Sequence, residues 1–417
     1  MQLQPVRGTK DILPDDHLIY LELMIKARQV IGNYGYQEIA IPIFEFSEVF
    51  KRTLGDYSDI VTKEMYSFQD RSGQSLTLRP EHTAGIARCV ISNGMQHLMP
   101  LKLFTIGPVF RYERPQKARM RQFSQLSVEA IGFDSSMIDV EIVALGAHIL
   151  QALNILDKTK LEINTLGDNQ SRINYLEKFT SYIAKYRDEL SEDSKIRLEK
   201  NPLRILDSKD SGDQKLVAGA PVIYDSINKE SKHFFDQILD GLTKIGVKFV
   251  INNKIVRGLD YYCHTVFEFI TDELGSQGAV LAGGRYDTLY KLMGNYNISA
   301  VGFASGLERL FELYIKTNQT PTKPRGICVV SLDLAYDIEA LKITQALRAQ
   351  NKLADIEPSN NITKAIKKAV SKNSKFVIII GEDEVRTQKF RLKDLDTRSE
   401  ECLYLEELLS FVEKNEF

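Results

Sequence analysis

The segment SQLSVEAI at residues 124–131 alternates between polar and apolar side chains, which predicts a β-strand. Gln125, Ser127 and Glu129 share one face of that strand, because strand side chains alternate with a period of two. The apolar residues between them share the other face. We therefore expect one face to pack on a core, while the other presents an amide and a carboxylate to a polar partner.

A second strand is predicted at residues 102–112, joined to the first by the loop RYERPQKARMR at 111–121. This loop has five basic residues and one acidic residue, a net charge of +4. Arginine suits phosphate recognition because its planar guanidinium pairs with two oxygens at once. The loop is therefore either the phosphate-binding tip of a hairpin or an ordinary solvated surface turn.

An amphipathic helix is predicted at residues 15–34, with Asp15 and Asp16 as candidate N-caps. Residues 36–43 then predict a strand with its isoleucines on one face. Pro42 puts that strand at an edge or an interface, because proline has no amide hydrogen. The other elements predicted for the first 320 residues are a helix at 139–156, strands at 247–256, 261–270 and 279–282, and a helix at 305–316.

Changes in composition divide the chain. Residues 168–225 are rich in charge and poor in β-branched residues, which predicts a helical insertion in the surrounding fold. Residues 317–324 form a polar, proline-containing linker. Beyond it, predicted strands and helices alternate, as is typical of a small α/β domain with a mostly parallel sheet. The first 320 residues lack this alternation and fit an antiparallel sheet with flanking helices.

Two further segments combine charged or aromatic residues with a turn. In LRPEHTAG at 78–85, Glu81 and Thr83 would hold an ammonium group. Alternatively, Thr83 would cap a helix and Glu81 would interact with the dipole of its first turn. In RGLDYY at 257–262, the glycine would let a ligand approach the backbone beside Arg257. Paired tyrosines, however, often serve only as packing.

Two glycine-containing segments near position 300 also have two interpretations each. The glycines of AGGRYD at 282–287 would either accept a ligand on the backbone or form a tight turn. In GFASGLER at 302–309, Arg309 lies near a predicted helix N-terminus, where the helix dipole favours anions rather than cations. Arg309 would therefore either bind an anionic ligand or be a surface residue of the helix without a binding role.

Composition excludes several classes of protein. The chain has 417 residues, 43% of them apolar, and no apolar run long enough to span a membrane. Without a secretory signal pattern, and with four widely separated cysteines, we expect a cytoplasmic protein without a disulfide framework. The six histidines lack metal-ligand spacing, so no metal site is expected. The net charge of −2 alone gives no indication of a nucleic-acid partner.

Taken together, these segments resemble the histidyl-tRNA synthetases of the bacterial type, a family of class II aminoacyl-tRNA synthetases. RGLDYY and AGGRYD look like the two histidine-specific signatures of that family. The helix and strand ending at Pro42, residues 110–129 and residues 302–309 look like the three class II motifs. The resemblance covers nearly the whole chain.

The resemblance implies an α+β fold. A class II antiparallel sheet with flanking helices would occupy residues 1–167 and 226–320. A helical insertion would occupy residues 168–225, and a C-terminal α/β anticodon-binding domain residues 325–417. Positive charge for tRNA is expected in the loop at 111–121 and in a lysine-rich helix at 361–375.

The resemblance also implies roles for the matching residues. The catalytic residues would be Arg257, Arg111 and Arg309. The histidine site would consist of Glu81, Thr83, Gln125, Glu129, Tyr261 and Tyr262. The ATP site would consist of Arg111, Glu113, Arg119 and Arg309. The residues near the tRNA acceptor end would be Arg114, Gln116 and Arg121.

Within that histidine site, Glu81, Thr83 and Gln125 would bind the α-amino group. Glu129 and Tyr262 would pair with the two nitrogens of the substrate imidazole, one a donor and one an acceptor. A site built on such hydrogen bonds discriminates by about 10⁴–10⁵, so no editing domain is expected.

The implied reaction activates L-histidine with ATP and transfers it to tRNA(His), with release of AMP and pyrophosphate. ATP would be a substrate together with Mg²⁺, and no prosthetic group is expected. The enzyme would be a homodimer without a membrane partner. The alternative is a histidine-binding regulatory paralogue of ATP phosphoribosyltransferase. Such paralogues generally lack the C-terminal domain and have degenerate histidine signatures.

The sequence departs from the family pattern at several positions. His82 stands where glycine is usual, and its side chain would crowd the amino-group site. Ser124 stands where bacterial members often have histidine. Cys263 and His264 replace the more frequent asparagine and arginine.

Overall fold

The structure is a computed structural model that describes residues 3–54, 60–115, 119–256, 261–275, 278–319 and 323–415. The chain divides into two compact units, Met1–Thr320 and Pro321–Phe417. Each unit has its own sheets and its own hydrophobic core.

The first unit contains an eight-stranded sheet and a three-stranded sheet. In chain order, its described strands are β1 (Gln37–Glu38), β2 (Phe44–Phe46), β3 (Tyr66–Gln69), β4 (Ser75–Leu78), β5 (Leu101–Phe110), β6 (Gln122–Ile131), β7 (Lys160–Thr165), β8 (Val250–Ile251), β9 (Cys263–Ile270), β10 (Ala279–Arg285) and β11 (Ala300–Gly306). The large sheet has the order β1-β5-β6-β11-β10-β9-β7-β8, and the small sheet has the order β2-β4-β3. All pairs in both sheets are antiparallel except β1–β5 and β7–β8.

The described α-helices of the first unit include short and long examples. They are α1 (Pro14–Asn33), α2 (Ser47–Leu54), α3 (Thr83–Ser92), α4 (Ser136–Ala152), α5 (Asn169–Ile183), α6 (Glu192–Lys200), α7 (Ser211–Ala218), α8 (Lys229–Lys244), α9 (Leu289–Gly294) and α10 (Leu307–Thr317). Helices α5 to α7 lie in the charged region between β7 and β8, with Tyr175, Phe179 and Ile183 of α5 buried.

The helices α1, α4, α8 and α10 cover the apolar face of the large sheet. Leu126, Val128 and Ala130 of β6 are fully buried in this core. The predicted alternation of β6 is therefore correct, because its apolar face packs against helices and its polar face points to the opposite side.

Strand β6 lies between β5 and β11 near the middle of the large sheet. In this register Glu129 is paired with Gly302 of β11. A Cβ atom at Gly302 would collide with the Glu129 carboxylate, so glycine is required there for a close approach. The sheet thereby fixes a carboxylate at a buried position on its polar face.

The predicted strand at 36–43 is wrong for most of its length. Only Gln37–Glu38 forms a strand there, and the isoleucines do not share one environment, because Ile41 is buried while Ile43 is exposed. The carbonyl oxygens of Ile41 and Pro42 instead accept hydrogen bonds from the Arg79 guanidinium, at 2.7 and 3.2 Å. The carbonyl oxygens of Ile41 and Pro42 are therefore satisfied by a side chain rather than by a neighbouring strand.

Two other element predictions need correction. The predicted strand at 247–256 is reduced to β8, two residues long. Asp15 and Asp16 do not cap α1, which has Leu13 at its N-cap position; both lie in the first turn, where their charge suits the helix dipole.

The second unit has a five-stranded sheet with flanking helices. Its strands are β12 (Gly326–Ser331), β13 (Ala354–Pro358), β14 (Ser374–Ile380), β15 (Lys389–Asp394) and β16 (Glu400–Tyr404). Its α-helices are α11 (Asp337–Ala349), α12 (Ile362–Ser371), α13 (Glu382–Thr387) and α14 (Leu405–Lys414). Strand β12 pairs in parallel with β13 and β14, whereas β15 and β16 extend the sheet in antiparallel fashion.

Candidate active site

The first turn of α3 is bound by a buried carboxylate. Glu81 accepts hydrogen bonds from the backbone N–H groups of Thr83 and Ala84, at 2.6 and 2.8 Å. Burial raises the pKa of Glu81, while these two amide donors act in the opposite direction. Glu81 therefore satisfies free N–H groups of the helix and still has lone pairs directed away from them.

Thr83 does not cap this helix, because its hydroxyl points to the sheet. Its Oγ1 donates a hydrogen bond of 2.6 Å to Oε1 of Glu129. The structure thus joins Glu81, Thr83 and Glu129, which come from two distant segments of the chain, into one buried cluster.

The polar face of β6 is completed by Gln125 and Ser127, both buried. His82 is fully buried beside them, and its Nδ1 lies 3.1 Å from the Ser127 hydroxyl. Burial and the charge of Arg79 lower the pKa of His82 to about 3, so the ring is neutral at physiological pH. The imidazole thus occupies space on the same strand face as Gln125 and Glu129.

Three tyrosine rings pack together next to the strand face of Glu129, and one of them, Tyr286, contacts its carboxylate. The Tyr261 ring lies 4.8 Å from that of Tyr262 and 5.5 Å from that of Tyr286, measured between ring centroids. The hydroxyl of Tyr286 donates a hydrogen bond to Oε2 of Glu129. Tyr286 is therefore a further candidate site residue that sequence reasoning missed, although it belongs to the AGGRYD segment.

Glu129 has an unusual environment for a carboxyl group. Burial raises its pKa to about 8, although the hydroxyl donors Thr83 and Tyr286 act in the opposite direction, and the nearby Glu81 raises it further. A site that holds a carboxyl group in this way is suited to a ligand that shares a proton with it, as an imidazole does.

A cavity of about 230 Å³ adjoins the Gln125 end of this strand face. Its lining includes Arg111, Arg119 and Arg309, together with Glu113 and Glu308. Burial lowers the pKa of Arg309, and so do the charges of Arg111 and Arg119. Three guanidinium groups in one cavity, one of them with a pKa lowered by the other two, are suited to bind a polyanionic ligand.

Backbone contacts hold two of these arginines in place. Nε of Arg111 donates to the Pro80 carbonyl oxygen at 2.9 Å, and Arg309 donates to the carbonyl oxygen of Ala279. Arg119 forms an ion pair with Glu113. These contacts place the guanidinium groups of the loop after β5 beside the first turn of α10.

The loop residues predicted to face the tRNA acceptor end are only partly described. Arg121 donates from Nε to the Glu113 carbonyl oxygen at 3.2 Å, and its guanidinium lies 3.9 Å from the centroid of the Tyr112 ring. Arg114 lies in the same loop, outside any regular element. Gln116 and the predicted catalytic Arg257 lie outside the described residues.

The AGGRYD glycines lie in strand β10 rather than in a turn. A Cβ atom at Gly283 or Gly284 would collide with the backbone carbonyl of a neighbouring strand. Arg285 is fully buried and forms an ion pair with Asp139 of α4. In this segment, the glycines and Arg285 are therefore structural, and Tyr286 is the residue that reaches the site.

An antiparallel sheet with buried carboxylates on its face, and arginines on the hairpin loop and the following helix, is the catalytic architecture of class II aminoacyl-tRNA synthetases. A family model described as histidyl-tRNA synthetase matches residues 8–310. A second model, described as an anticodon binding domain, matches residues 326–415. The chain belongs to the histidyl-tRNA synthetase family.

Individual relatives agree with this assignment. The chain is 47% identical to the histidine–tRNA ligase of Rickettsia typhi, over 98% of this chain and 99% of the relative. It is 48% identical to that of Rhodospirillum rubrum, over 98% of both chains. The crystal structure of apo histidyl-tRNA synthetase from S. aureus is 32% identical, with a TM-score of 0.83 over 99% of this chain and 100% of that one.

Among the described residues, no helix combines the length and apolar character needed to cross a bilayer.

Proposed function

We propose that the chain activates L-histidine with ATP and transfers the histidyl group to tRNA(His). The observation that carries this proposal is the cavity containing Arg111, Arg119 and Arg309, which adjoins the polar strand face of Gln125 and Glu129. A polyanion and an amino acid would lie side by side there. Family membership supports the same conclusion.

The amino acid would be bound through both of its ends. Glu81, Thr83 and Gln125 would hold the α-amino group, since their carboxylate, hydroxyl and amide oxygens accept hydrogen bonds from an ammonium group. Glu129 and Tyr262 would pair with the two ring nitrogens, and Tyr261 would pack beside them. We add Tyr286, whose hydroxyl holds the Glu129 carboxylate in place.

ATP would enter as its magnesium complex and occupy the cavity. Arg111 and Arg309 would contact its phosphates, and Arg119 and Glu113 would complete the nucleotide site. Arg257 would contact the α-phosphate, although it lies outside the described residues. The side chains of this chain thus supply positive charge and orientation rather than covalent chemistry.

In the first step, a carboxylate oxygen of histidine attacks the α-phosphorus of ATP. The bond from that phosphorus to the β-phosphate oxygen breaks, which gives histidyl-adenylate and pyrophosphate. Negative charge builds on the α-phosphate during the attack, and Arg111, Arg257 and Arg309 would stabilise it. In the second step, a ribose hydroxyl of the terminal adenosine of tRNA attacks the adenylate carbonyl, and AMP leaves.

The tRNA would contact two parts of the chain. Arg114, Gln116 and Arg121 would lie near the acceptor end, beside the ATP cavity. The anticodon would bind the C-terminal domain at residues 325–417, which the anticodon-binding family model supports. The catalytic core would comprise residues 1–167 and 226–320, interrupted by the helical insertion at 168–225.

A homodimer is proposed from the apolar side chains exposed on the two edge strands of the small sheet, β2 and β3. Ile43, Phe44 and Phe46 are exposed there, directly after Pro42, and Phe68 of β3 is exposed as well. A group of exposed aromatic side chains of this kind is typical of a protein interface. Because the proposed reaction is a step of protein synthesis, we expect it to occur in the cytoplasm.

The regulatory alternative is not favoured. Curated relatives named histidine–tRNA ligase match 98–99% of this chain and of their own lengths, C-terminal domain included. A charging assay separates the two functions directly. With ATP, labelled histidine and tRNA(His) transcript, the full chain is expected to form acid-precipitable histidyl-tRNA. Histidine binding without any charging would instead favour the regulatory function.

A further inference from the structure

Cys263, His264 and Asp287 form a cluster of metal-ligand side chains outside the contacts described above. One sulfur, one ring nitrogen and one carboxylate oxygen of these residues lie within 4.8 Å of one another. Sequence spacing did not indicate this cluster, because two members begin β9 and the third follows β10. Only the pairing of these strands brings them together.

The backbone of β9 is distorted at this cluster. One step along β10, from Gly284 to Arg285, corresponds to three residues along β9, from Val266 to Cys263. His264 lies in that irregularity with a φ of 45°, in the left-handed region that non-glycine residues rarely adopt. Consecutive strand residues normally point to opposite faces, and this bulge lets Cys263 and His264 approach the same point.

The cluster has ligand atoms with available lone pairs. Nδ1 of His264 is buried without a hydrogen-bond partner among the described residues. Asp287 is positioned by two hydrogen bonds to its Oδ1, from the Ala300 backbone N–H at 3.1 Å and from Arg285 at 3.2 Å. Both bonds use Oδ1, so an ion would bind Oδ2. Within the described part of the chain, the Cys263 sulfur accepts one weak hydrogen bond, from the Asp287 N–H at 3.3 Å.

The local charge is compatible with a divalent cation. Arg285 is adjacent, but its charge is balanced by Asp139, with Nε of Arg285 3.1 Å from Oδ2. In the metal-bound state, a Cys263 thiolate and an Asp287 carboxylate would supply two negative charges beside a neutral His264 ring. One divalent ion would therefore leave the cluster neutral, and the partial exposure of His264 and Asp287 gives water access to the ion.

We propose that Cys263, His264 and Asp287 bind one zinc-type transition-metal ion, with water as the fourth ligand. Thiolate, imidazole and carboxylate are the ligands that Zn²⁺ takes, at about 2.0–2.3 Å in tetrahedral geometry. Ligand atoms now within 4.8 Å need side-chain rotations that bring them about 1 Å closer. The bound ion would join the start of β9 to the end of β10, next to Tyr262 and Tyr286. This site does not depend on the proposed function.

Cobalt titration of the full, tag-free chain tests the proposal, because Co²⁺ takes the same ligands and absorbs light. After treatment with chelator, we expect one equivalent of Co²⁺ per chain to produce a thiolate-to-cobalt charge-transfer band in the near ultraviolet. An equivalent of Zn²⁺ should remove that band. The absence of the band from the wild-type chain overturns the proposal.

Conservative variants assign the ligands. Cys263→Ser should abolish the charge-transfer band, and His264→Asn should weaken Co²⁺ binding at least tenfold, since asparagine tolerates the left-handed backbone. Cys402→Ser removes an exposed cysteine elsewhere and should leave the band unchanged. Thermal unfolding in chelator establishes that each variant is folded, and His264→Asn provides an independent test if Cys263→Ser is not. A band that survives substitution of both ligands, or that is lost in Cys402→Ser, overturns the proposal.

Discussion

At the scale of single residues, Glu129 connects the fold to specificity. Its carboxyl group is 1% exposed and accepts hydrogen bonds from Thr83 and Tyr286. An amino acid without ring nitrogens could not form the hydrogen bond that imidazole would form with this group. A buried polar group without a hydrogen-bond partner makes the free energy of binding less favourable. The discrimination required of the enzyme therefore rests on hydrogen bonding rather than on pocket size.

Glu129→Gln tests this role. Glutamine cannot share a proton with the imidazole as the Glu129 carboxyl group would, so the KM for histidine in pyrophosphate exchange should rise by about 10–100-fold. The KM for ATP in the same variant is the control and should stay within about twofold, because the nucleotide cavity is lined by other residues. An unchanged KM for histidine would contradict the role given to Glu129.

His82 provides a prediction about pH. Its pKa is about 3 in the folded chain, against the ordinary value of 6.5 expected once the chain unfolds, so the unfolded chain takes up the proton first as the pH falls. The free energy of unfolding should therefore decrease from pH 6.5 towards pH 3, by about 1.4 kcal/mol per pH unit from this group. His82→Asn keeps a polar partner for Ser127 but cannot titrate.

Urea unfolding of both proteins between pH 4 and pH 8 measures the difference. The free energy of unfolding of His82→Asn should depend less steeply on pH below 6.5, and the two slopes should agree above pH 7. Parallel curves over the whole range would show that His82 is not held neutral by the fold.

The sequence predicted some site residues better than others. The alternation of β6 was enough to place Gln125 and Glu129 on one polar face, because period-two patterning is local information. Tyr286 and the fully buried His82 could not be placed in this way, because their contacts with Glu129 and Ser127 cross between distant segments. The capping contacts of Glu81 are local, but residues 78–85 fit both an ammonium site and a helix start, so its role stayed one of two alternatives.

At the scale of elements, the buried pair of Arg285 and Asp139 joins β10 to the first turn of α4. Arg285 also donates to the backbone carbonyls of Phe133 and Ser135, at 3.0 and 3.3 Å. Without Asp139, the buried Arg285 charge would be balanced only by the partly exposed Asp287, and breaking a buried ion pair typically costs about 3–5 kcal/mol.

Asp139→Asn should accordingly lower the free energy of unfolding by about 3 kcal/mol or more, as measured with urea. The double variant Asp139→Asn, Arg285→Met removes the isolated charge and should recover part of that loss, which identifies the charge as the cause. Full stability of the single variant would contradict a structural role for this pair.

The prediction of a strand failed where a side chain, and not a neighbouring strand, forms the hydrogen bonds of the backbone. Residues 36–43 have the composition of a strand, but Arg79, nearly forty residues away, binds the carbonyl oxygens of Ile41 and Pro42 with its side chain. The long strands β5 and β6 were predicted within about two residues, because their hydrophobic pattern is strong and their pairing is local.

At the scale of the whole molecule, the net charge of −2 hides an uneven distribution. Three arginines are gathered in one cavity of the first unit. The lysine-rich helix expected at 361–375 contributes less free charge than predicted, because Lys368 and Lys372 pair with Glu357, and Lys372 also pairs with Asp355. An average over the chain therefore gives no guide to where a polyanion binds.

Deletion of residues 321–417 tests whether the first unit activates histidine and the second unit binds tRNA. If the C-terminal unit binds the anticodon, the deletion should reduce charging of tRNA(His) by at least 100-fold while histidine-dependent pyrophosphate exchange stays within about tenfold. Circular dichroism provides the control for folding of the remaining unit. Equal loss of both activities would indicate that the second unit stabilises the first instead.

The most direct test of the central claim is isotope exchange between pyrophosphate and ATP with each of the twenty amino acids in turn. This assay reports the first chemical step alone, without any tRNA. We expect exchange with histidine and background exchange with the other nineteen, because only imidazole pairs with Glu129 and Tyr262 through both ring nitrogens. Exchange that is faster with another amino acid, or absent with histidine, would contradict it.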